Sequence, residues 1–292
     1  MIMFAIIGAT GNVGFSTARA LRDAGAPVRA ILRNAAKGER LTAIGCGLAI
    51  ADLQDSTTLA RAIAGADAVQ IIIPLHLETP DPAQDMRNSI ASIIVALRQA
   101  APKRVLAISD YGAHVDRDIG MPSIFHSLEA ELHALGGDVT ILRSAEHMHN
   151  AARGIPEALK SGTMLGFQDP VDRAQATIAA EDLGRIAAEL LLRTDAPDGV
   201  EIVHAEGPRR YSAADVAAAL SALSSRTITA VAVPREHWEG AFAKMPPSLA
   251  DLLIKASDAK NKGGLVDIEP DVSTVRYGPT ELIDALRSLL PR

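Results

Sequence analysis

The segment that constrains this chain most is AIIGATGNVG, Ala5–Gly14, in which three glycines recur at every third position. An apolar run precedes the first glycine, and residues with helical spacing follow the third. In a strand–turn–helix unit, such glycines allow a tight turn, close approach of a phosphate to the backbone, and close packing of helix on strand. This context favours a phosphate-binding turn over a plain glycine-rich turn. The residues expected to contact the phosphates of a dinucleotide are Gly8, Thr10, Gly11, Asn12, Val13 and Gly14.

The first 150 residues alternate short apolar runs with amphipathic segments of helical length. Runs such as AVQIII are apolar throughout, which is typical of parallel strands covered by helices on both faces. Strict alternation of strand and helix implies parallel pairing through right-handed crossovers. The sequence therefore predicts an α/β fold, a doubly wound parallel Rossmann sheet with a smaller, interleaved C-terminal substrate lobe.

The alternation changes after Arg143. We assign residues 1–150 to the dinucleotide-binding domain, with 174–206 returning to it, and residues 151–173 and 207–292 to the smaller lobe. Ser56 is expected to start the helix STTLARAIA, and Thr280 the C-terminal helix.

Composition excludes several classes of protein. The formal net charge of −6 argues against a nucleic-acid partner. The single cysteine, Cys46, excludes an internal disulfide and is expected to be a small buried residue. No stretch approaches the ~20 apolar residues that span a bilayer, and MIMFAII lacks the basic start of a secretory signal. We expect a cytoplasmic protein with no membrane partner.

The residues after the second strand indicate which dinucleotide is preferred. An acid at the end of this strand would bind the ribose hydroxyls of NAD, whereas an arginine would bind the 2′-phosphate of NADP. Here the sequence reads AILRNAAKGER, with Arg33 at the strand end and Lys37 shortly after it. Although these side chains could form a merely solvated basic face, we predict NADP(H) in preference to NAD(H).

The ends of the third and fourth strands supply further candidates. Asp52 could bind the adenine amino group with Leu53 beside the ring, although an acid at a helix entry would look similar. Ile73 and Pro74, at the end of the fourth strand, are expected to line the cofactor site as well.

Several segments in order suggest a family. GATGNVG, LRN, ADLQD and VTILRSAEHMHN together resemble the NmrA-like group of atypical short-chain dehydrogenase/reductases. Arg143 and Asn150 match that group's T-I-L-R-P…F-M-x-N pattern, and Glu129 stands where it commonly has a helix glutamate. The resemblance implies an NADP-binding domain with a small substrate lobe. Members are either reductases of quinones, dyes and phenylpropanoid-type compounds, or redox sensors that do not turn the cofactor over.

The chain departs from the Tyr-x-x-x-Lys chemistry of short-chain dehydrogenases. Ser109 stands at the end of the fifth strand, but Tyr111 lies in the loop with no lysine four residues on. The resemblance implies that a His or Lys in the following helix can replace the pair, which makes His126 the candidate for a proton donor or for a contact with the nicotinamide ribose. Relatives often have that histidine one residue earlier, at Phe125, so His126 could equally be an ordinary helix residue. Our candidate catalytic residues are Ser109, Tyr111 and His126.

The remaining histidines are assigned to a cleft. His76, in a proline-interrupted loop, and His147 and Asn150, in EHMHN, are expected to line the substrate cleft. His147 and His149 could share a strand face, but no third ligand completes a metal site, and we predict none. Trp238 and Phe242 have helical spacing, which is more typical of core residues than of a substrate cage.

These observations predict an NADPH-dependent reductase that transfers hydride to a small quinone-like or similarly conjugated acceptor, because such an acceptor delocalises the incoming charge. The alternative is a non-catalytic sensor of NADP(H). An epimerase or dehydratase is disfavoured by the missing tyrosine–lysine pair.

Overall fold

The computed structural model describes residues 2–195, 198–269 and 274–290. Residues 1, 196–197, 270–273 and 291–292, which the predicted domain ranges include, lie outside the described residues. The strands are β1 (Phe4–Ile7), β2 (Val28–Leu32), β3 (Gly47–Ile50), β4 (Ala68–Ile71), β5 (Arg104–Asp110), β6 (Asp138–Ser144), β7 (Glu146–His147), β8 (Thr163–Gly166), β9 (Thr177–Ile178), β10 (Val200–Glu206), β11 (Thr229–Ala232) and β12 (Val275–Tyr277). The α-helices are α1 (Asn12–Asp23), α2 (Glu39–Ala43), α3 (Ser56–Ile63), α4 (Pro82–Ala100), α5 (Met121–Leu135), α6 (Ile155–Ser161), α7 (Ala180–Leu192), α8 (Ala213–Ser224), α9 (Trp238–Phe242), α10 (Pro247–Lys262) and α11 (Leu282–Arg287).

The main sheet has eight parallel strands in the order β12-β10-β6-β5-β4-β1-β2-β3. Helices α1 and α7 cover one face, and α3, α4 and α5 cover the other. The all-apolar strands follow from this arrangement, since every residue of β1 is buried between the two helix layers. The predicted doubly wound α/β fold is confirmed.

The order of the strands reverses between β1 and β4. In open parallel sheets, ligands bind outside the carboxyl ends of the strands at such a switch point. The carboxyl edge of β1, β4 and β5 is therefore where a functional site is expected.

A smaller apolar cluster lies outside the main sheet and includes buried residues of α6, α8 and α11. Beside it, β8 and β11 form a two-stranded parallel sheet. The short strand β8 was not predicted, because TMLG shows no alternation of polar and apolar residues and forms a strand only through its pairing with β11. Trp238 and Phe242 are buried against Phe167, as core residues rather than an exposed cage.

Three local predictions need correction. Val275–Tyr277, assigned to the smaller lobe, pairs with β10 at the edge of the main sheet. The side chain that caps α3 is Asp55 rather than Ser56. Thr280 does not cap α11, because its hydroxyl donates to the buried Asp182 carboxylate at 3.0 Å.

Candidate functional site

The glycine turn between β1 and α1 depends on close backbone contacts. Gly8 has a φ of +80°, and a Cβ at this position would lie 2.9 Å from the Ile72 Cβ. A Cβ at Gly14 would lie 2.3 Å from the Gly8 carbonyl oxygen, so only glycine lets α1 begin against the strand. At Gly11, the nearest described atom would be 3.5 Å away. The first and third glycines thus build the turn, and the second leaves its outer side open.

The first turn of α1 presents backbone N–H groups to the surface. Thr10, Gly11 and Asn12 are exposed, whereas Val13 is buried beneath them. Gly11 stands at the N-cap and has no side chain with which to cap these amides, and no acidic residue stands in the first turn of the helix. Unpaired amides and the positive end of the helix dipole favour an anion. The turn therefore has the shape and polarity that a pyrophosphate group requires.

Basic side chains follow directly from β2. Arg33 and Lys37 are exposed, and within the described ranges neither forms an ion pair. Asn34 accepts the Ala36 N–H at 2.9 Å and starts the short 3₁₀ turn that carries Lys37. Arg40 differs, because its guanidinium lies 4.1 Å from the centroid of the Phe15 ring. Arg33 and Lys37 are thus the cations that remain available to a ligand at this strand end.

Asp52 stabilises the turn that follows β3. Its carboxylate accepts the Gln54 N–H at 2.9 Å, while the neighbouring Leu53 is half-buried against the core. Stabilising the turn at the helix entry is the alternative to adenine binding that the sequence left open. The contact between Asp52 and adenine stays a prediction.

The segment after β4 forms one rim of the switch point. Ile73 is buried and Pro74 is half-buried. The His76 Nδ1 lies 2.9 Å from an Asp85 carboxylate oxygen on α4. This bond ties the predicted cleft histidine to the first turn of a long helix.

Ser109 and Tyr111 are both turned into the interior. Ser109 is 3% exposed, and its hydroxyl donates to Glu129 at 2.5 Å. Tyr111 is 2% exposed, and its hydroxyl donates to Glu206 at 3.2 Å. Burial, together with the Glu206 carboxylate, raises the pKa of Tyr111. The structure gives neither predicted catalytic hydroxyl access to the surface.

A buried ion pair explains the arginine and glutamate that the family pattern picked out. Arg143 Nε and Nη2 donate to the two Glu129 carboxylate oxygens at 3.0 and 2.7 Å. Arg143 Nη1 lies 2.5 Å from Glu269. This arrangement links α5, β6 and the segment after α10 in the interior of the protein.

His126, the predicted proton donor, is half-buried on α5. Its Nδ1 lies 2.8 Å from the Ala113 carbonyl oxygen, which can only accept, so Nδ1 carries the proton. The preceding Phe125 packs into the core. The one-residue offset from relatives thus gives the core position to Phe125 and leaves His126 bonded to the loop after β5.

A group of charged residues that the sequence did not reveal lies at the carboxyl ends of β5 and β6. Asp110 ends β5, Glu146 follows β6, and Lys260 comes from α10 and forms an ion pair with Glu146. We call these three residues the acid–lysine cluster. Helix α10 reaches this edge because it packs closely on Gly120, where a Cβ would lie 2.1 Å from the Leu252 carbonyl oxygen.

The two carboxyls of the acid–lysine cluster, Glu146 and Asp110, differ in pKa. The Lys260 ammonium lowers the pKa of the Glu146 carboxyl to about 2. Burial raises the pKa of Asp110 to about 7; Lys260 opposes this rise and Glu146 adds to it. One carboxyl is therefore firmly ionised, whereas the other holds its proton close to neutral pH.

The two remaining cleft predictions lie beside this cluster. Asn150 Nδ2 donates to Glu146 at 3.1 Å, and the half-buried His147 lies with its ring centroid 5.1 Å from that of His149. Burial lowers the pKa of His147 to about 4, so the ring is neutral at pH 7. Across the described residues, no group of three or more His, Cys, Asp or Glu side chains could hold a metal ion. Nor does any described helix combine the length and the apolar character needed to cross a membrane.

Comparisons with known proteins agree with this geometry. The statistical model of the NmrA-like family matches residues 3–277. The chain is 29% identical to an NAD(P)H azoreductase of Xenophilus azovorans, with 93% of each chain covered. It is 26% identical to quinone oxidoreductase 2 of Escherichia coli (strain K12), with 95% of each chain covered. A crystal structure of an NADPH-dependent quinone oxidoreductase from Escherichia coli complexed with NADPH matches at 25% identity and a TM-score of 0.77, covering 91% of both chains.

Proposed function

This chain belongs to the NmrA-like family, and we propose that it is an NADPH-dependent reductase of quinone-like or similar small conjugated acceptors. The observation that carries the proposal is the open glycine turn at the switch point, with free amides at the start of α1. The relatives named above, an azoreductase and quinone oxidoreductases, support the same activity.

The preference for NADP(H) over NAD(H) rests on the end of β2. Arg33 and Lys37 are exposed there, and no carboxylate occupies the strand end. A guanidinium can bind a 2′-phosphate through two parallel hydrogen bonds, whereas the acid that typically holds the ribose of NAD would repel it.

The acceptor would bind over the carboxyl ends of β4 and β5, away from the β1–α1 turn that would hold the phosphates. Reduced nicotinamide supplies a hydride to the acceptor. The protein's own residues would hold the phosphates on the β1–α1 turn, line the ring site with Ile73 and Pro74, and position the acceptor. His76, His147 and Asn150 form the proposed acceptor rim, and the smaller lobe, which contains α6, α8 and α11, would close its outer side.

The missing tyrosine–lysine pair fits this choice of substrate. A quinone-like acceptor spreads the incoming charge over a conjugated system, and it therefore depends less on an acid catalyst than a simple ketone does. His126 stays a candidate contact for the acceptor or for the nicotinamide ribose. Ser109 and Tyr111 are engaged with Glu129 and Glu206, and for them the geometry offers no such support.

The test is to mix purified protein with NADPH and a panel of quinones and azo dyes without oxygen, following the absorbance of reduced nicotinamide. We expect consumption with at least one quinone, and slower consumption when NADH replaces NADPH at the same concentration. No consumption with any acceptor, together with tight but unequal binding of NADP⁺ and NADPH, would instead support a sensor.

A further inference from the structure

Three elements bring the acid–lysine cluster together at the place where the proposed acceptor binds. Asp110 is the last residue of β5 and pairs in register with Ser144 of β6. Glu146 follows two residues after that position, and Lys260 arrives from α10 to pair with Glu146. The carboxyl end of β5 lies two strands from the glycine turn of β1. A dinucleotide that extends from that turn across β4 would bring its reactive ring to this edge.

Ser109 and Asp110 are neighbours on β5, and their side chains lie on opposite faces of the sheet because side chains alternate along a strand. Ser109 points toward α5, where the Glu129 carboxylate accepts a hydrogen bond from its hydroxyl. By this alternation Asp110 lies on the opposite face of the strand, and it is half-buried. In the cluster, 28% of the Lys260 side chain and 38% of the Glu146 side chain remain exposed. Solvent can therefore resupply a proton here, which is not the case at the interior Ser109 and Tyr111.

We propose that Asp110 is the catalytic acid that protonates the reduced acceptor and that Lys260 is a positioning residue paired with Glu146. The inference rests on the proposed reductase function. The acceptor gains two electrons and one hydrogen as hydride, which leaves a negative charge on its oxygen. The Asp110 O–H bond then breaks, a new O–H bond forms on that oxygen, and the resulting carboxylate regains its proton from water.

The charges around Asp110 are consistent with this role. Burial raises the pKa of Asp110 to about 7, with Lys260 of α10 lowering it and Glu146 of β7 and Glu129 of α5 raising it. A catalytic acid is most effective when its pKa lies near the working pH. Glu146 is less suited to the task, because Lys260 keeps it ionised.

The first test compares Asp110→Asn with the wild type on an electron-rich and an electron-poor quinone. Loss of the acid should lower kcat about 100-fold for the electron-rich quinone, whose reduced form is the stronger base, and less for the other. The wild-type kcat should fall as the pH rises past about 7, and this fall should be absent in Asp110→Asn. Asp251→Asn, an exposed position on α10, is the matched control and should behave like the wild type.

The second test does not depend on turnover. In protein labelled with ¹³C at aspartate carboxyls and free of cofactor, one carboxyl should titrate near pH 7 and be missing in Asp110→Asn. Lys260→Met should move this titration upward by about one pH unit, since the nearby cation is lost. If Asp110→Asn does not fold, the shift of this titration in Lys260→Met still tests the proposal.

The results of these tests distinguish failure of the proposed role of Asp110 from failure of the proposed reductase function. Wild-type turnover with unchanged kcat and pH profile in Asp110→Asn would overturn the role of Asp110 alone. An Asp110 that titrates near pH 4 would also overturn it, because the residue would hold no proton to donate at neutral pH. A wild-type protein that reduces no acceptor would overturn both the acid and the reductase.

Discussion

The glycine turn and the acid–lysine cluster, at opposite ends of the proposed cofactor site, are built from the chain in different ways. The turn lies within Gly8–Gly14 and depends on backbone contacts that only glycine permits. The acid–lysine cluster joins side chains far apart in sequence, since Lys260 comes 114 positions after Glu146. A short motif therefore reveals the first region, whereas the second exists only in the folded chain. The same difference predicts that the turn is sensitive to shape and the cluster to charge.

The largest expected effect tests the role of shape in the turn. Gly14→Ala places a methyl group 2.3 Å from the Gly8 carbonyl oxygen and 2.9 Å from the Ala9 Cα. Backbone must move to accommodate it, so urea denaturation should show a loss of about 3 kcal/mol in the free energy of unfolding. Gly240→Ala is the control, since no described atom lies within 4 Å of the added carbon. It should change stability by less than about 1 kcal/mol. Equal effects of the two substitutions would show that the turn is not tightly packed.

A smaller effect tests whether the end of β2 recognises the 2′-phosphate. Arg33→Glu removes a guanidinium and adds a repelling charge, which should weaken NADPH binding by about 10- to 100-fold, the equivalent of ~1.4–2.7 kcal/mol. NADH lacks that phosphate and should be affected much less. Arg61→Glu, exposed near the end of α3, makes the same change in net charge and should alter neither affinity. If Arg33→Glu weakened the binding of NADPH and of NADH equally, Arg33 would not be the residue that recognises the 2′-phosphate.

A pH-dependent effect tests the role of charge in the acid–lysine cluster. Burial raises the pKa of Asp110 from 3.8 to about 7, so the folded protein binds a proton there that the unfolded chain has lost. The stabilisation is complete below about pH 4 and declines as the pH rises toward 7, by at most ~1.4 kcal/mol per pH unit. Asp110→Asn should remove this decline from urea midpoints measured between pH 4 and 7. Parallel pH dependences in the two proteins would contradict the raised pKa.

Much of the fold could be predicted because the signals are local. All-apolar strands and amphipathic helices identified the parallel sheet, and the glycine spacing identified its switch point. Errors arose where tertiary contacts decide the structure. The edge strand Val275–Tyr277 has only three residues, and its sheet position comes from pairing with β10. Thr280 is a plausible helix cap in sequence, but Asp182 on α7 takes its hydrogen bond.

The candidate site shows the same limit. Arg33 and the turn residues lie where the motif placed them, because a strand, a turn and a helix fix their positions. Ser109 stands at the predicted strand end, yet Glu129 engages its hydroxyl in the interior. Nothing local marks Asp110 as different from any strand-terminal aspartate, and Lys260 occupies an ordinary helical position. Their proximity depends on the packing of α10 against the loop before α5, which no short motif encodes.

The central claim is that a dinucleotide lies across the β1–α1 turn, and binding to Gly11→Val tests it most directly. Gly11 has an extended backbone that valine can adopt, and a Cβ there would have only an ordinary contact at 3.5 Å. The variant should therefore fold like the wild type while its side chain occupies the space that a pyrophosphate needs. Calorimetric titration with NADPH should give clear binding to the wild type and affinity at least about 100-fold weaker for Gly11→Val, at equal urea midpoints. Equal affinity in the two proteins, or no binding to the wild type, would contradict the claim.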